Sequence, residues 1–409
     1  MSYLVIGLGK SGLSAAKYLQ KNQKSIALFD DDSRKYHSSD ILTLIDNGAE
    51  VFNEHKSLLK IKKAVISPGV PLDHFIVRKL KSLGIPVISE IELGLSLAKN
   101  KMIAVTGTNG KSTVCSLIVH ILNASNIPSV CVGNIGYPIT SYLMDQNSDE
   151  VLIVEISSFQ LESIIGKYFD VAMILNIYPH HLDRYDCFSS YAQTKISLQL
   201  KSKKIHVSKS ISEKFKGQLN SHFIYDEKYL ESEGHLSQNL SAAYAICKEF
   251  NINESDFLNA AKSFRSLAHR VEEVATINQI RYFNDSKATN PNAVIQGVER
   301  FSDNVILIAG GYDCANDFNI WRKTLPKKVK KIIAIGQCKQ RIFEVLSDLI
   351  EVIKVDNLSI GFEKANQMAS AKDVILFSPG APSYDQFNNF EERGDAFKLL
   401  VKSQKEREQ

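Results

Sequence analysis

The stretch "IAVTGTNGKST" carries the residue types that handle a nucleoside triphosphate. Gly107 and Gly110, with Thr108 and Asn109 between them, let backbone N–H groups curl around anionic oxygens. The helix-like run "VCSLIVHIL" follows at once, so its positive N-terminal end adds to the same site. Lys111 would reach the β- and γ-phosphates, and a hydroxyl of Ser112 or Thr113 would face Mg²⁺. The spacing G-x-x-G-K-S-T is shorter than the usual phosphate-loop pattern, but strand, lysine and hydroxyls stand in register.

A second glycine turn opens the chain. "YLVIGLGKSGLSAAKYL" places Gly7, Gly9 and Gly12 as G-x-G-x-x-G between an apolar strand and a helical run. A second strand, "SIALFD", ends in Asp30, where a ribose-binding acid is expected. Taken alone, that turn predicts an NAD-dependent oxidoreductase. Two further segments add chemistry. Glu155 ends the strand-like "VLIVE", on the sheet edge where parallel α/β proteins bind ligands, and suits either a metal ligand or a helix cap. "LNIYPHHLDRYDCFSSYAQTK" follows a later strand, so His181 could converge on that edge. Lys195 reads on its own as a surface lysine, since an ammonium rarely helps a site crowded with phosphates and metal.

The elements that must position these residues alternate between short apolar runs and helical stretches, the pattern of parallel α/β sheets. The 409 residues exceed one ordinary core and fall into three blocks. We expect an α/β protein of three domains: residues 1–97, Rossmann-like; residues 98–266, a central doubly wound sheet of the ATPase type; and residues 267–409, Rossmann-like again. The net charge of +4 comes with no basic stripe interleaved with aromatics, so no nucleic-acid partner is indicated. Six cysteines are scattered without a C-x-x-C, so neither a zinc ribbon nor a disulfide framework is indicated, and the pattern suits a reducing compartment. The first residues read as a strand rather than a signal peptide, and no apolar run reaches the length of a membrane span. A cytoplasmic monomer without membrane insertion is expected.

The series "GTNGKST", "VGNIG", "EISSFQLE", "HLDRY" and "YAQTK", in this order, resembles the Mur ligase family, which uses ATP to add amino acids to the peptidoglycan precursor. "LAHRVEEV", "NDSKATNP" and "FSPGAPSYDQFNNFEERG" are similar to the branch that adds D-glutamate to UDP-N-acetylmuramoyl-L-alanine. The likeness spans nearly the whole chain. Another amino-acid-adding member, or a folylpolyglutamate-type ligase, fits the ending less well.

The resemblance implies that ATP phosphorylates the substrate carboxylate and that the incoming amine attacks the acyl phosphate. It implies Lys111 as the phosphate-loop lysine and Ser112, Glu155 and His181 as ligands of two Mg²⁺ ions. Lys195 becomes a carbamylated lysine, whose added carboxyl oxygen would hold metal. Asn239, Arg270 and Asp285 would contact ATP, with the last domain closing over the central one. Lys287, Thr289, Ser383 and Phe390 would place D-glutamate. Asn134 would bind the muramoyl part, and Gly9, Ser11, Asp30, Ser67 and Gly69 the UDP end, so the first glycine turn holds a substrate diphosphate rather than NAD. The chain departs from the family at Cys314, where a lysine usually follows "GGxD", and at Leu236, where an asparagine is usual. The stretch between Lys195 and His235 is also short for the family.

Overall fold

A computed structural model describes residues 2–53, 58–71, 73–135, 137–145, 149–180, 184–226, 235–265, 267–302, 304–314 and 316–408, with the backbone alone at 59 and 235–237. Three sheets organise the chain, each built as the alternation of apolar runs and helices predicts.

The first sheet contains β1 (Ser2–Ile6), β2 (Ile26–Phe29), β3 (Glu50–Val51), β4 (Ile61–Ile66) and β5 (Val87–Ser89), all parallel, in the order β3-β2-β1-β4-β5. The order reverses between β1 and β4, so the loops leaving those two strands part at one crevice, where ligands of such sheets bind. Leu4, Ile6, Ala64 and Ile66 fill one face and Val5, Leu28 and Val65 the other, so helices cover both.

The glycine turn after β1 is sterically specified. Gly7 has φ of 84°, a conformation that costs other residues a Cβ clash. A Cβ on Gly12 would lie 1.8 Å from the Gly7 carbonyl oxygen and 2.6 Å from Ser67 Oγ. Gly12→Ala is therefore expected to cost on the order of 1–3 kcal/mol and to broaden the turn, read as a lower urea midpoint for the first sheet's unfolding. An unchanged midpoint would show that the turn tolerates a side chain.

The second sheet contains β6 (Met102–Thr106), β7 (Ser129–Gly133), β8 (Val151–Glu155), β9 (Phe169–Ile174), β10 (Ser202–Ser208) and β11 (Phe223–Tyr225), all parallel, in the order β11-β10-β9-β6-β8-β7. Every residue of β6 and β8 is buried, which is why these strands read as unbroken apolar runs rather than alternating ones. The chain leaves β6 toward β7 and later returns to its other side as β9, placing the second crevice between β6 and β9.

The third sheet contains β12 (Glu272–Ile277), β13 (Ile280–Asn284), β14 (Val305–Gly310), β15 (Val329–Ile335), β16 (Glu351–Lys354) and β17 (Val374–Phe377), in the order β12-β13-β17-β14-β15-β16. Five strands are parallel; β12 pairs antiparallel with β13 at one edge, a mixed pattern that the sequence reading did not anticipate. Trp321 is fully buried between the helical segments of this domain, its indole N–H donating to the Pro291 carbonyl at 2.9 Å. The first two sheets belong to one compact unit, and the third belongs to another. Among the described residues no helix is long and apolar enough to cross a membrane.

Candidate active site

The loop after β6 is built to receive an anion. Gly110 has φ of 84° and caps the helix Lys111–Ala124, so the backbone turns sharply and the helix N-terminus faces the loop. Thr108 N–H donates to the Asn176 carbonyl at 2.9 Å, and Asn109 N–H to Asn176 Oδ1 at 2.9 Å. Asn176 Nδ2 returns a bond to the Asn109 carbonyl at 3.1 Å. Asn176 follows β9, so one side chain holds the loop from across the crevice. Lys111 Nζ donates to the Gly107 and Thr108 carbonyls, both at 2.9 Å, which curls the ammonium over the loop. Ser112 is buried beneath the turn and Thr113 half-buried.

Glu155 ends β8 beside this loop and is 1% exposed. Its Oε1 accepts from Asn134 Nδ2 at 2.7 Å, while its Oε2 is buried and has no hydrogen-bond partner among the described residues. Asn134, expected at the muramoyl group, thus also orients the carboxylate.

Lys195, which in isolation reads as a surface lysine and which the family resemblance assigns to the site, is 1% exposed. The helix Phe188–Ile196 lies against the sheet edge. Lys195 Nζ sits 3.5 Å from Thr106 Oγ1, to which it donates, and 4.9 Å from the centre of the Tyr191 ring. Burial, and then the neighbouring Lys111 cation, push its ammonium well below the usual lysine range; the Glu155 carboxylate opposes them. Tyr191 OH and Thr108 Oγ1 share a hydrogen bond at 3.0 Å, tying this helix to the phosphate loop. Lys111, Glu155 and Lys195 therefore meet at one edge. His181, the remaining member of the expected group, lies outside the described residues.

In the first sheet, the loops after β1, β2 and β4 line a cleft of about 440 Å³ that includes Gly9, Ser11, Asp30, Ser67 and Gly69. Ser67 Oγ donates to the Gly7 carbonyl at 2.6 Å, bridging the crevice. Asp30 accepts from Leu8 N–H at 2.5 Å and from Lys35 Nζ at 2.8 Å. Burial pushes the Asp30 carboxyl up, but these donors outweigh it and hold it below the ordinary range. Lys35 therefore adds a cation to the cleft that sequence reasoning missed; its short spacing from Asp30 was the available signal.

In the third sheet, Lys287 follows β13, with its ammonium 3.5 Å from the centre of the Phe390 ring. Ser383, which is 3% exposed, lies in the loop after β17; Thr289 is half-buried at the end of the β13 loop. Arg393, which sequence reasoning passed over, joins these pieces. It is 2% exposed and donates through Nε to Ser286 Oγ at 3.0 Å, through Nη2 to the Ser286 carbonyl at 2.8 Å and through Nη1 to the Ala381 carbonyl at 3.0 Å. Burial lowers its guanidinium to about 10. Asp285 is buried, accepting from Ser378 Oγ at 2.6 Å and from Val271 N–H at 3.2 Å; burial raises its carboxyl to about 6. Through the Val271 bond it braces the backbone next to Arg270. Asn239 is half-buried on the helix His235–Cys247.

Known proteins match this arrangement along its whole length. The Mur ligase MurD-like N-terminal domain family matches residues 1–89, and the Mur ligase middle domain family matches residues 105–257. The UDP-N-acetylmuramoylalanine--D-glutamate ligase of Protochlamydia amoebophila is 36% identical over 98% of this chain and 97% of its own length. The enzyme of that name from Koribacter versatilis is 33% identical over 99% of this chain and 98% of its own. Among solved structures, the UDP-N-acetylmuramate-alanine ligase MurC of Thermotoga maritima superimposes with a TM-score of 0.62 at 15% identity, covering 99% of this chain and 100% of its own. MurF from Acinetobacter baumannii reaches 0.61 at 15% identity, over 90% and 87%. The glycine turn that alone suggested an NAD enzyme lies inside the MurD-like match, which sets the oxidoreductase reading aside. With both anion-binding loops inside family matches, and near-complete relatives sharing one name, the chain belongs to the UDP-N-acetylmuramoylalanine--D-glutamate ligases of the Mur ligase family.

Proposed function

We propose that this chain joins D-glutamate to UDP-N-acetylmuramoyl-L-alanine using ATP, through an acyl phosphate, and that the three sheets divide the work among residues 1–97, 98–266 and 267–409. The observation that carries the proposal is the convergence of Lys111, Glu155 and Lys195 at the β6 edge in a chain that aligns end to end with enzymes of that name.

A carboxylate is a poor electrophile, and both it and the γ-phosphate are anions, so the site must first suppress their repulsion. Lys111 and the N–H groups at the N-terminus of helix Lys111–Ala124 would hold the γ-phosphate in line with the incoming carboxylate oxygen. Thr106 and Tyr191, both buried, line the same edge. As the acyl phosphate forms, charge grows on the transferring phosphoryl oxygens, and the preset cation costs no reorganisation. D-glutamate would then be presented by Lys287, whose ammonium pairs with a carboxylate, with Thr289, Ser383 and Phe390 fixing its orientation.

The residues fit Mg²⁺. Glu155 Oε2 is a buried carboxylate oxygen with no hydrogen-bond partner among the described residues, the oxygen donor that a hard cation takes. When bound, the metal would supply charge neutralisation between the phosphates.

Lys195 supports a carbamate. Two cations, Lys111 and Lys195, share a buried edge with one carboxylate, Glu155, and burial favours the neutral amine. That amine attacks the carbon of CO₂, forming an N–C bond and releasing one proton from nitrogen. The product is an anion, which exchanges a repelled cation for a second oxygen donor.

The deciding assay measures ADP release from ATP with UDP-N-acetylmuramoyl-L-alanine and a panel of amino acids. Release is expected with D-glutamate alone; release with L-glutamate and not its enantiomer would overturn the assignment.

A further inference from the structure

A buried carboxylate outside the reacting groups joins the first two sheets, which lie in one compact unit. Glu90 begins the helix Glu90–Leu97, directly after β5, and is 1% exposed. Its Oε1 accepts from both the backbone N–H and the hydroxyl of Thr140, each at 2.8 Å. Thr140 Oγ1 lies 2.5 Å from Ser14 Oγ, which lies 2.7 Å from Ser141 Oγ.

A hydroxyl has one proton to donate. Because that of Thr140 goes to Glu90, Thr140 must accept from Ser14, and Ser14 must in turn accept from Ser141. The carboxylate thus sets the direction of the whole chain of hydroxyls, and hydrogen bonds aligned in one direction strengthen one another in a buried setting.

The helices this chain joins are informative. Ser14 lies on the helix Lys10–Lys21, which starts at the first glycine turn beside Ser11. Thr140 and Ser141 lie on the helix Ile139–Asp145, a few residues after Asn134, which holds Glu155 Oε1. We propose that Glu90 is a positioning residue, which through Thr140 and Ser14 sets the substrate-diphosphate loop at a fixed distance from the Asn134–Glu155 edge, where the acyl phosphate forms. The proposal rests on the reading of those two loops given above.

The rest of the same helix acts as the other half of a clamp. Glu92 accepts from Tyr168 OH at 2.6 Å and from Ile165 N–H at 2.9 Å. Ser89 receives a bond from Ser163 at 2.9 Å, and a Cβ on Gly94 would lie 2.6 Å from Ile139 Cβ, so the helix meets its neighbour without a side chain between them. These contacts keep the sheets docked when the Glu90 side is loosened. A reaction between a diphosphate-anchored carboxylate and a separately held γ-phosphate depends on that spacing, and displacements near 1 Å lower rates steeply.

The test compares Thr140→Val, which keeps shape and removes the hydroxyl, with Thr140→Ser, which keeps it. Ser14→Ala serves as a second, milder variant. Thr140→Val is expected to lower kcat by about 10–100-fold while the Kd for UDP and the Kd for a non-hydrolysable ATP analogue, each measured alone, stay within about twofold; Thr140→Ser restores kcat. A Thr140→Val enzyme with wild-type kcat overturns the proposal. So does a rise in both Kd values in step with the loss, which would mark general loosening. A wild-type enzyme that releases no ADP in response to D-glutamate would remove the underlying reading instead, and this proposal with it.

Discussion

Lys111→Ala is expected to lower kcat by at least ~10²–10³-fold without unfolding the protein, the loss seen when one preset group facing developing charge is removed. The ammonium is already ordered by the Gly107 and Thr108 carbonyls at 2.9 Å, so little conformational entropy remains to be lost when an anion arrives. Lys111 is only half-buried, so water can reach those carbonyls when the lysine is gone, which keeps the stability cost small. Asn176 still holds Thr108 and Asn109, so the loop keeps its shape. Lys111→Arg is not expected to rescue the variant, because a planar fork cannot sit over two adjacent carbonyls as a compact ammonium does. Steady-state kcat together with a thermal melt checks this. A variant with near-normal kcat would show that the phosphate is held by backbone N–H groups alone.

Lys195→Ala carries the second large effect, and its sign on stability differs. Turnover should fall by ~10²–10³-fold, yet the fold should be unharmed or stabilised, because a buried amine whose hydrogen bond among the described residues is a long one, to Thr106, is removed. The space it leaves between Thr106 and Tyr191 fits a small carboxylate, so acetate or formate should restore part of the rate if the natural group is a carbamate. Rescue by neither anion across a concentration series would count against that modification. The unmodified lysine also leaves a pH signature. Its ammonium is depressed in the folded state, so between that lowered value and the ordinary lysine range the unfolded chain binds more protons. Lys195 therefore makes stability rise with pH through that window, and this contribution to the slope should be lost in Lys195→Ala. Urea unfolding at a series of pH values in CO₂-depleted buffer measures it.

Much of the site was legible because it is local. Gly107, Gly110 and Lys111 sit within five residues, and a turn of that kind needs glycines wherever φ is positive or a carbonyl lies too close for a Cβ. The same holds for Gly7 and Gly12, where the 1.8 Å approach to the Gly7 carbonyl leaves glycine as the fitting residue. Glu155 was readable from its place at the end of an unbroken apolar strand, since parallel sheets deliver such residues to their ligand-binding edge. Strand and helix alternation likewise announced the α/β class; the antiparallel β12 was missed because an edge strand of mostly half-exposed residues carries no direction in its pattern.

What sequence could not reach is long-range. Asn176 meets the phosphate loop across 67 residues, Tyr191 across 83, and Thr140 meets Glu90 across 50. Asparagine, tyrosine, threonine and glutamate are ordinary surface residues by type, and Lys195 more so. Their roles arise from burial, and burial depends on which strands become neighbours. Residue spacing by itself determined the two anion-binding turns, the acid at the strand end and the α/β class, because these follow from backbone sterics and period within one or two elements. Only the tertiary structure decided that Lys195 is a desolvated amine beside Lys111 and Glu155, and that Glu90 orders a chain of hydroxyls between two sheets. The physical reason is that desolvation and hydrogen-bond direction are properties of the packed surroundings, which no single segment contains.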